Sequence, residues 1–323
     1  MHDSFPNDEF AAAASEATGY DVEVITAGDG SELSSQLVLT GGAPVADAFF
    51  GVDDIFASRL INNDVVDVFV PDEPLPGPAE EIATQFLGAE NSDEQESWAG
   101  YLLVPVTLSA SCVNIDTVWF AENGVAEPSN YEDLAAEKYR GLTVLLDPVS
   151  STTGASFLIG TVAKFGDQGY LNYWQRLADN DVRIEQGWSD AYYGQFTGGG
   201  EGSYPIVLSY SSSPAWTLTE DGSASTTKAL LDTCSSQIEY AGVLNGAANP
   251  EGAQAVVDYL LSREFQDTIA DSMYVYPVDP EAYVAEEWQS FAPMPKAPND
   301  LTAAEIGEGR EGWLKAWSDI KGW

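Results

Sequence analysis

Two spacings of apolar residues, one helical and one alternating, take turns along this chain. Residues 7–18 read as a helix capped by Asn7 and closed by Gly19. Val22 and Val24 flank Glu23, which predicts a strand over 22–25. Leu33 and Leu37 share one face of a short helix over 31–39, stopped by Gly41 and Gly42. Residues 45–52 form an apolar run long enough for a buried strand, with Asp53 and Asp54 at its carboxyl end. Strand, helix and strand in this order predict a parallel sheet.

Residues 71–97 are rich in Pro, Glu and Asp and read as a surface excursion. A long strand follows over 104–115, long enough to pass from one domain to the next. Residues 142–146 form another buried strand, ending in Asp147-Pro148. The turn Ser150-Ser151-Thr152-Thr153-Gly154 then opens an apolar helix over 155–165. Residues 206–210 read as a strand, with Ser213 as N-cap and Pro214 at the first helical position after it. Residues 238–244 are a second crossing strand. Ala253, Val256, Val257, Leu260 and Leu261 define one face of a helix opened by Asn249-Pro250. A segment over 273–278 ends in Tyr276-Pro277-Val278. Trp313, Trp317 and Trp323 sit on a terminal helix, where packing is the expected role.

The fold class expected is α/β, as two lobes joined by crossing strands with a ligand cleft between them. The first lobe takes residues 1–107 and 236–279, the second 108–235 and 280–323. At 323 residues the chain has room for two such cores.

Charge narrows the partners. There are 52 acidic residues against 12 basic ones, a net charge of −40. Nucleic acid and anionic membranes repel such a chain. The acids are scattered rather than gathered in a tail, the pattern a protein needs to work in molar salt, where the Debye length falls to about 3 Å. His2 is the only histidine, so zinc sites and histidine-based catalytic triads are excluded in practice. Cys112 and Cys234 are the only cysteines. Two separate buried thiols are the expectation, with a disulfide as the alternative should the chain work outside the cell. No apolar stretch reaches membrane-spanning length, and no signal peptide is present.

Candidate chemistry lies at strand ends, where open α/β sheets bind ligands. Asp53 places a carboxylate there, or caps the next helix. Ser151, Thr152, Thr153 and Gly154 set hydroxyls and backbone N–H groups at a helix N-terminus, a geometry that accepts anions, although ordinary capping uses the same residues. Trp188, Tyr192, Tyr193, Tyr210, Trp216 and Tyr274 form the aromatic set. Trp188 follows Gly187 on a turn, a place suited to stacking on flat or cationic ligands. Tyr192 reads as core. No pair among the 52 acids stands out as a hydrolytic dyad.

These segments resemble the periplasmic thiamine-binding proteins of ABC importers, members of the type II substrate-binding fold. The landmarks are Asp3-Ser4-Phe5, Ala46-Asp47 through Gly51-Val52-Asp53, Asp147-Pro148 with Ser151-Thr152 and Gly154, and Tyr276-Pro277-Val278. The specific part is Gly187-Trp188-Ser189 together with Leu208-Ser209-Tyr210 and Ser213-Pro214-Ala215. The resemblance implies a monomeric, non-catalytic carrier of thiamine or its mono- and diphosphate, without cofactor or metal, that works outside the cytoplasm and serves a permease. It implies that Asp53 faces the cationic ligand. Ser151, Thr152 and Gly154 would meet its hydroxyethyl or phosphate end, and Trp188, Tyr210, Trp216 and Tyr274 would line the ring sites. Tyr274 stands where the family can carry tryptophan, and Pro6-Asn7-Asp8 replaces a tryptophan that can follow Asp-Ser-Phe. The family strand before Asp-Ser-Phe has no counterpart here, which leads to the expectation of a longer native chain with a signal and a lipid anchor. Two relatives of this reading stay open: ferric-ion binding through the Tyr192-Tyr193 pair, and a thiamine-degrading enzyme with a cysteine nucleophile.

Overall fold

A computed structural model describes residues 1, 7–28, 30–91 and 98–320. Asp3-Ser4-Phe5, His2 and Trp323 lie outside the described residues. The chain divides into two compact units, Met1–Leu108 with Ile238–Val284 and Ser109–Gln237 with Ala285–Trp323. The strands Val104–Asp116 and Ser235–Leu244 contribute residues to both.

In the first unit, strand Ala48–Asp53 pairs antiparallel with Ser235–Leu244, setting Ala48 opposite Val243 and Asp53 opposite Glu239. The pairs made by Val66–Asp67 and Tyr276–Pro277 are antiparallel too. The parallel arrangement expected here is not formed, because residues 22–25 join no ladder. Their backbone finds other partners: Val22 N–H donates to Ser15 Oγ, and the Met1 amino group donates to the Ile25 carbonyl. Helices Asn7–Thr18, Pro250–Leu261 and Arg263–Met273 cover the core through Phe10, Val257, Leu260 and Phe265. Asn249 caps the second by accepting the Gly252 N–H, as its sequence position implies.

The acidic stretch over 71–97 is not a mere excursion. It carries helix Gly77–Ala83 and strand Leu87–Asn91, paired with Trp98–Tyr101. Leu75, Ala79 and Ala83 recur every four residues and are buried, as is Phe86. The surrounding Pro, Glu and Asp hide this helical spacing from a reading by composition.

The second unit holds the parallel pairs. Strand Thr143–Leu146 lies parallel to Arg183–Glu185 on one side and Ile206–Tyr210 on the other. Strand Ile206–Tyr210 also runs antiparallel to Val104–Asp116, placing Tyr210 opposite Ser111 and Ser209 opposite Cys112. Helix Thr152–Asp179 bends at Gly166, whose φ of 71° and ψ of 170° fall in a region essentially reserved for glycine. The predicted helix end at residue 165 sits at this bend. Trp174 is fully enclosed and meets Trp317 of the terminal helix edge to face at 5.6 Å. Burying one such indole contributes at most roughly 4–6 kcal/mol. Packing is thus the role of Trp317, and Trp313 lies partly buried against the same core.

Cys112 and Cys234 form a disulfide, with 4.2 Å between their Cα atoms. The expectation of two separate thiols is corrected. Cys112 lies on one crossing strand and Cys234 directly precedes the other, so neighbouring strands bring together residues 122 apart in sequence.

Candidate functional site

The second unit gathers most of the predicted residues at one end of its sheet. The strands Thr143–Leu146, Arg183–Glu185 and Ile206–Tyr210 are mutually parallel, so their carboxyl ends coincide. The loops leaving those ends carry Ser151–Gly154, Trp188 and Tyr210–Trp216. Two hydrogen bonds tie the first two loops together: Gln186 Nε2 donates to Asp147 Oδ2 at 3.0 Å, and Ser150 Oγ donates to the Gln186 carbonyl at 2.8 Å.

Trp188 opens a helical turn that continues as the π-helix Asp190–Gln195, a rare geometry frequent at functional sites. Its half-buried indole stacks on Tyr192, with centroids 4.8 Å apart and planes within 14°. Tyr193 stands edge-on to the same indole at 5.3 Å and is 59% exposed. Tyr210 is tilted toward it, with ring centres 6.3 Å apart. The Trp188 indole N–H donates to Ser209 Oγ at 2.9 Å, and Ser209 Oγ lies 2.8 Å from Ser213 Oγ. Thr153 Oγ1 and the Tyr210 hydroxyl share a bond of 2.8 Å. The partners in this cluster are neutral hydroxyls and an indole, next to the exposed Tyr193 ring, so it suits a flat or cationic ring.

Helix Thr152–Asp179 begins where the sequence predicts an anion-accepting turn. Ser151 caps it by accepting the Gly154 N–H at 3.2 Å, so that amide is not available to a ligand. Gly154 has a packing reason: a Cβ there would come within 2.8 Å of the Leu146 and Asp147 carbonyls. Thr152 Oγ1 accepts a bond from Gln237 Nε2 at 3.4 Å. Ser151 and Thr152 accept through oxygen and each retain an O–H to donate. It is Thr153, not its neighbour, that reaches Tyr210. One residue is about 100° of helix rotation, and spacing alone does not choose between adjacent threonines.

Ser213 does not cap a helix as expected. Residues Ser213–Trp216 make one 3-10 turn with no side-chain cap, and the Ser213 hydroxyl accepts the Tyr210 N–H instead. Trp216 is 50% exposed and leans edge-on against Trp288 at 6.1 Å. The other two predicted residues belong to the first unit. Asp53 is 2% exposed and caps helix Asp54–Asn62 by accepting the Ile55 N–H at 3.1 Å. Tyr274 is exposed and ends helix Arg263–Met273 in the left-handed conformation at φ 61°. That costs a non-glycine residue of order 1 kcal/mol and is a feature found at functional sites.

The sequence assigns Ser209 no role of its own, Ser213 a capping role and Thr153 a place in the anion-accepting turn, and none of the three a contact with Trp188 or Tyr210; their signal is only a cluster of small hydroxyl residues at strand and helix ends. Metal binding by the tyrosine pair meets an obstacle. Tyr192 lies under the Trp188 indole, where burial, and then the Tyr193 phenol, push its hydroxyl up to about 12. Among the described residues no group of three His, Cys, Asp or Glu side chains is placed to hold a metal ion. Two cavities, about 340 Å³ beside Val22 and Val256 and about 590 Å³ beside Lys228 and Phe291, are lined by none of the predicted site residues. The aromatic cluster is identified by its own geometry instead.

Known proteins are similar to this chain in sequence and in fold. The thiamine-binding periplasmic protein of Escherichia coli K12 is 29% identical over 193 residues, 59% of this chain and 56% of that relative. The chain therefore matches little more than half the length of that protein. The thiamine-binding periplasmic protein of Brucella melitensis is 25% identical over 300 residues, 92% of this chain and 82% of the relative. A solved periplasmic thiamin binding protein superposes with a TM-score of 0.71 at 23% identity, covering 98% of this chain and 92% of that one. The apo ferric ion-binding protein A of Pasteurella haemolytica superposes with a TM-score of 0.73 at 17% identity, covering 99% and 95%. At such identities the two structures establish the fold, that of the type II periplasmic binding proteins, and each of these proteins is named for binding rather than for a reaction. The model of the bacterial extracellular solute-binding proteins matches residues 43–299, four-fifths of the chain, and the chain belongs to that family.

Proposed function

We propose that the chain captures thiamine outside the cytoplasm and delivers it to the permease of an ABC importer. The observation that carries this is the Trp188 indole. Tyr192 backs one face, Ser209 pins its N–H, and Tyr193 and Tyr210 flank it. Thiazolium is a flat permanent cation, and a fixed indole face attracts such a ring. The names of the E. coli and Brucella relatives support the same ligand. Ser151 and Thr152 are the proposed donors to the hydroxyethyl group, or to phosphate in the mono- and diphosphate. Trp216, Asp53 and Tyr274 keep their expected ligand roles as parts of this proposal, as do the monomeric state and the lipid anchor.

Catalysis is not part of it. Degradation of thiamine by cysteine attack needs a thiolate. Cys112 and Cys234 are both held in the disulfide, and neither is exposed.

The test is a thiamine titration in molar salt, read by tryptophan fluorescence, with Trp188→Ala beside the unmodified protein. Saturable quenching, weakened at least about tenfold in the variant, is expected from loss of a desolvated cation–π contact. A folded protein that does not respond to thiamine refutes the proposal.

A further inference from the structure

Ser209 and Ser213 have no part in the expected ligand set, yet they hold its central ring. Ser209 is the penultimate residue of strand Ile206–Tyr210, in which Ile206 through Ser209 are all fully buried. Its hydroxyl accepts the Trp188 indole N–H at 2.9 Å and shares a bond with Ser213 Oγ at 2.8 Å. Ser213 in turn accepts the Tyr210 N–H at 3.3 Å. Tyr210 is fixed at two further points. Its hydroxyl meets Thr153 at 2.8 Å, and its carbonyl accepts from Asn114 Nδ2 at 3.0 Å. Two buried hydroxyls therefore link the two aromatic residues expected to meet the ligand.

An indole stacked only on Tyr192 can slide and rotate in its plane. A single hydrogen bond from Nε1 removes that freedom, because the donor lies at the ring edge. A ligand that stacks on a ring already fixed loses less conformational entropy on binding. We infer that Ser209 and Ser213 are positioning residues, a hydroxyl pair that fixes the Trp188 plane and the Tyr210 backbone for a flat heteroaromatic cation. The inference rests on the reading that Trp188 lines the ligand site.

Four variants test it: Ser209→Ala, Ser209→Thr, Trp188→Phe and the combination of Ser209→Ala with Trp188→Phe, followed by thiamine affinity, melting temperature and the indole N–H proton resonance of Trp188, assigned by its loss in Trp188→Phe. In Ser209→Ala the resonance moves upfield and exchanges faster. Thiamine binding weakens about tenfold, because the released ring must then be ordered when the ligand binds. Ser209→Thr restores both. In the Trp188→Phe background, Ser209→Ala has no further effect on affinity, because the ring no longer carries the donor. A Ser209→Ala affinity within twofold of native, or equal losses in both backgrounds, overturns the positioning role even if the melting temperature falls. Should the unmodified protein ignore thiamine, the ligand reading fails by itself. The resonance then decides the hold on Trp188, and an unmoved signal in Ser209→Ala overturns it.

Discussion

Asp258 shows how one side chain couples this protein to pH. It sits half-buried on helix Pro250–Leu261, and its Oδ1 accepts the Asp72 N–H at 3.0 Å. Burial, outweighing that hydrogen bond, raises its carboxyl from the usual 3.8 to about 6. A folded-state value above the unfolded one means that the proton favours folding. The stability it contributes is complete below about pH 4 and lost as the pH rises through 6. Full conversion of the shift gives about 3 kcal/mol, and solvent screening at this half-exposed site leaves about 1 kcal/mol. Asp258→Asn keeps an oxygen for the Asp72 amide and removes the charge. The variant should melt about 2–4 °C higher at pH 8 and level with the native chain at pH 4, by thermal scans at fixed salt. A lower melting point at pH 8 contradicts this account. Legibility at this scale is uneven. Trp188 shows itself, because an aromatic after glycine on a turn fits no periodic face. Ser213 misleads, because a serine before proline is a standard helix start and only the fold supplies its alternative partner, the Tyr210 amide. Nothing in the sequence marks Asp258 out among the 52 acidic residues.

Elements with strong periodicity were readable to within a few residues. The helix over Pro250–Leu261, the strand Ile206–Tyr210 and the break at Gly166 follow from local spacing, capping and glycine. Pairing was less readable, because it depends on what the fold puts alongside. Residues 22–25 alternate like a strand but find a helix serine and Met1 instead of a ladder. The disulfide has the same origin: sequence gives the count of cysteines, and only strand neighbours give the distance. In the chain-entropy model, closing a loop of 122 residues stabilises by at most about 5 kcal/mol. Replacing Cys112 and Cys234 together by alanine should cost about 2–5 kcal/mol and lower the melting temperature by roughly 10 °C. Alkylation of the denatured chain checks the bond itself. Without reductant neither cysteine should be modified, and labelling of both under those conditions contradicts it.

Charge acts on the whole molecule. The net −40 is the difference between 12 basic and 52 acidic residues, so local pairing cannot neutralise it. The ion-paired side chains of Lys138, Arg140, Arg176, Arg183, Lys228 and Arg263 are 41–59% exposed, where each pair contributes about 0–1 kcal/mol. The core is of ordinary kind, with large aromatic and aliphatic side chains fully buried in both units. Attraction is therefore normal and repulsion is not. Compacting a chain with this charge raises its electrostatic energy at low ionic strength. Between 0.01 M and 1 M salt the Debye length falls from about 30 Å to about 3 Å, shorter than the spacing of most surface charges. Screening alone should then return several kcal/mol, and the melting temperature should climb by at least about 10 °C over that range of sodium chloride. The shape of the curve separates screening from salting-out. Screening gives its steepest rise below 0.5 M, whereas salt exclusion from the surface continues to strengthen burial at molar concentrations. Sucrose, which is excluded from the surface without screening charge, should not reproduce the early rise. A flat melting curve from dilute buffer to 1 M would show that the acidic surface is tolerated without salt, and the adaptation to molar salt would have to be abandoned.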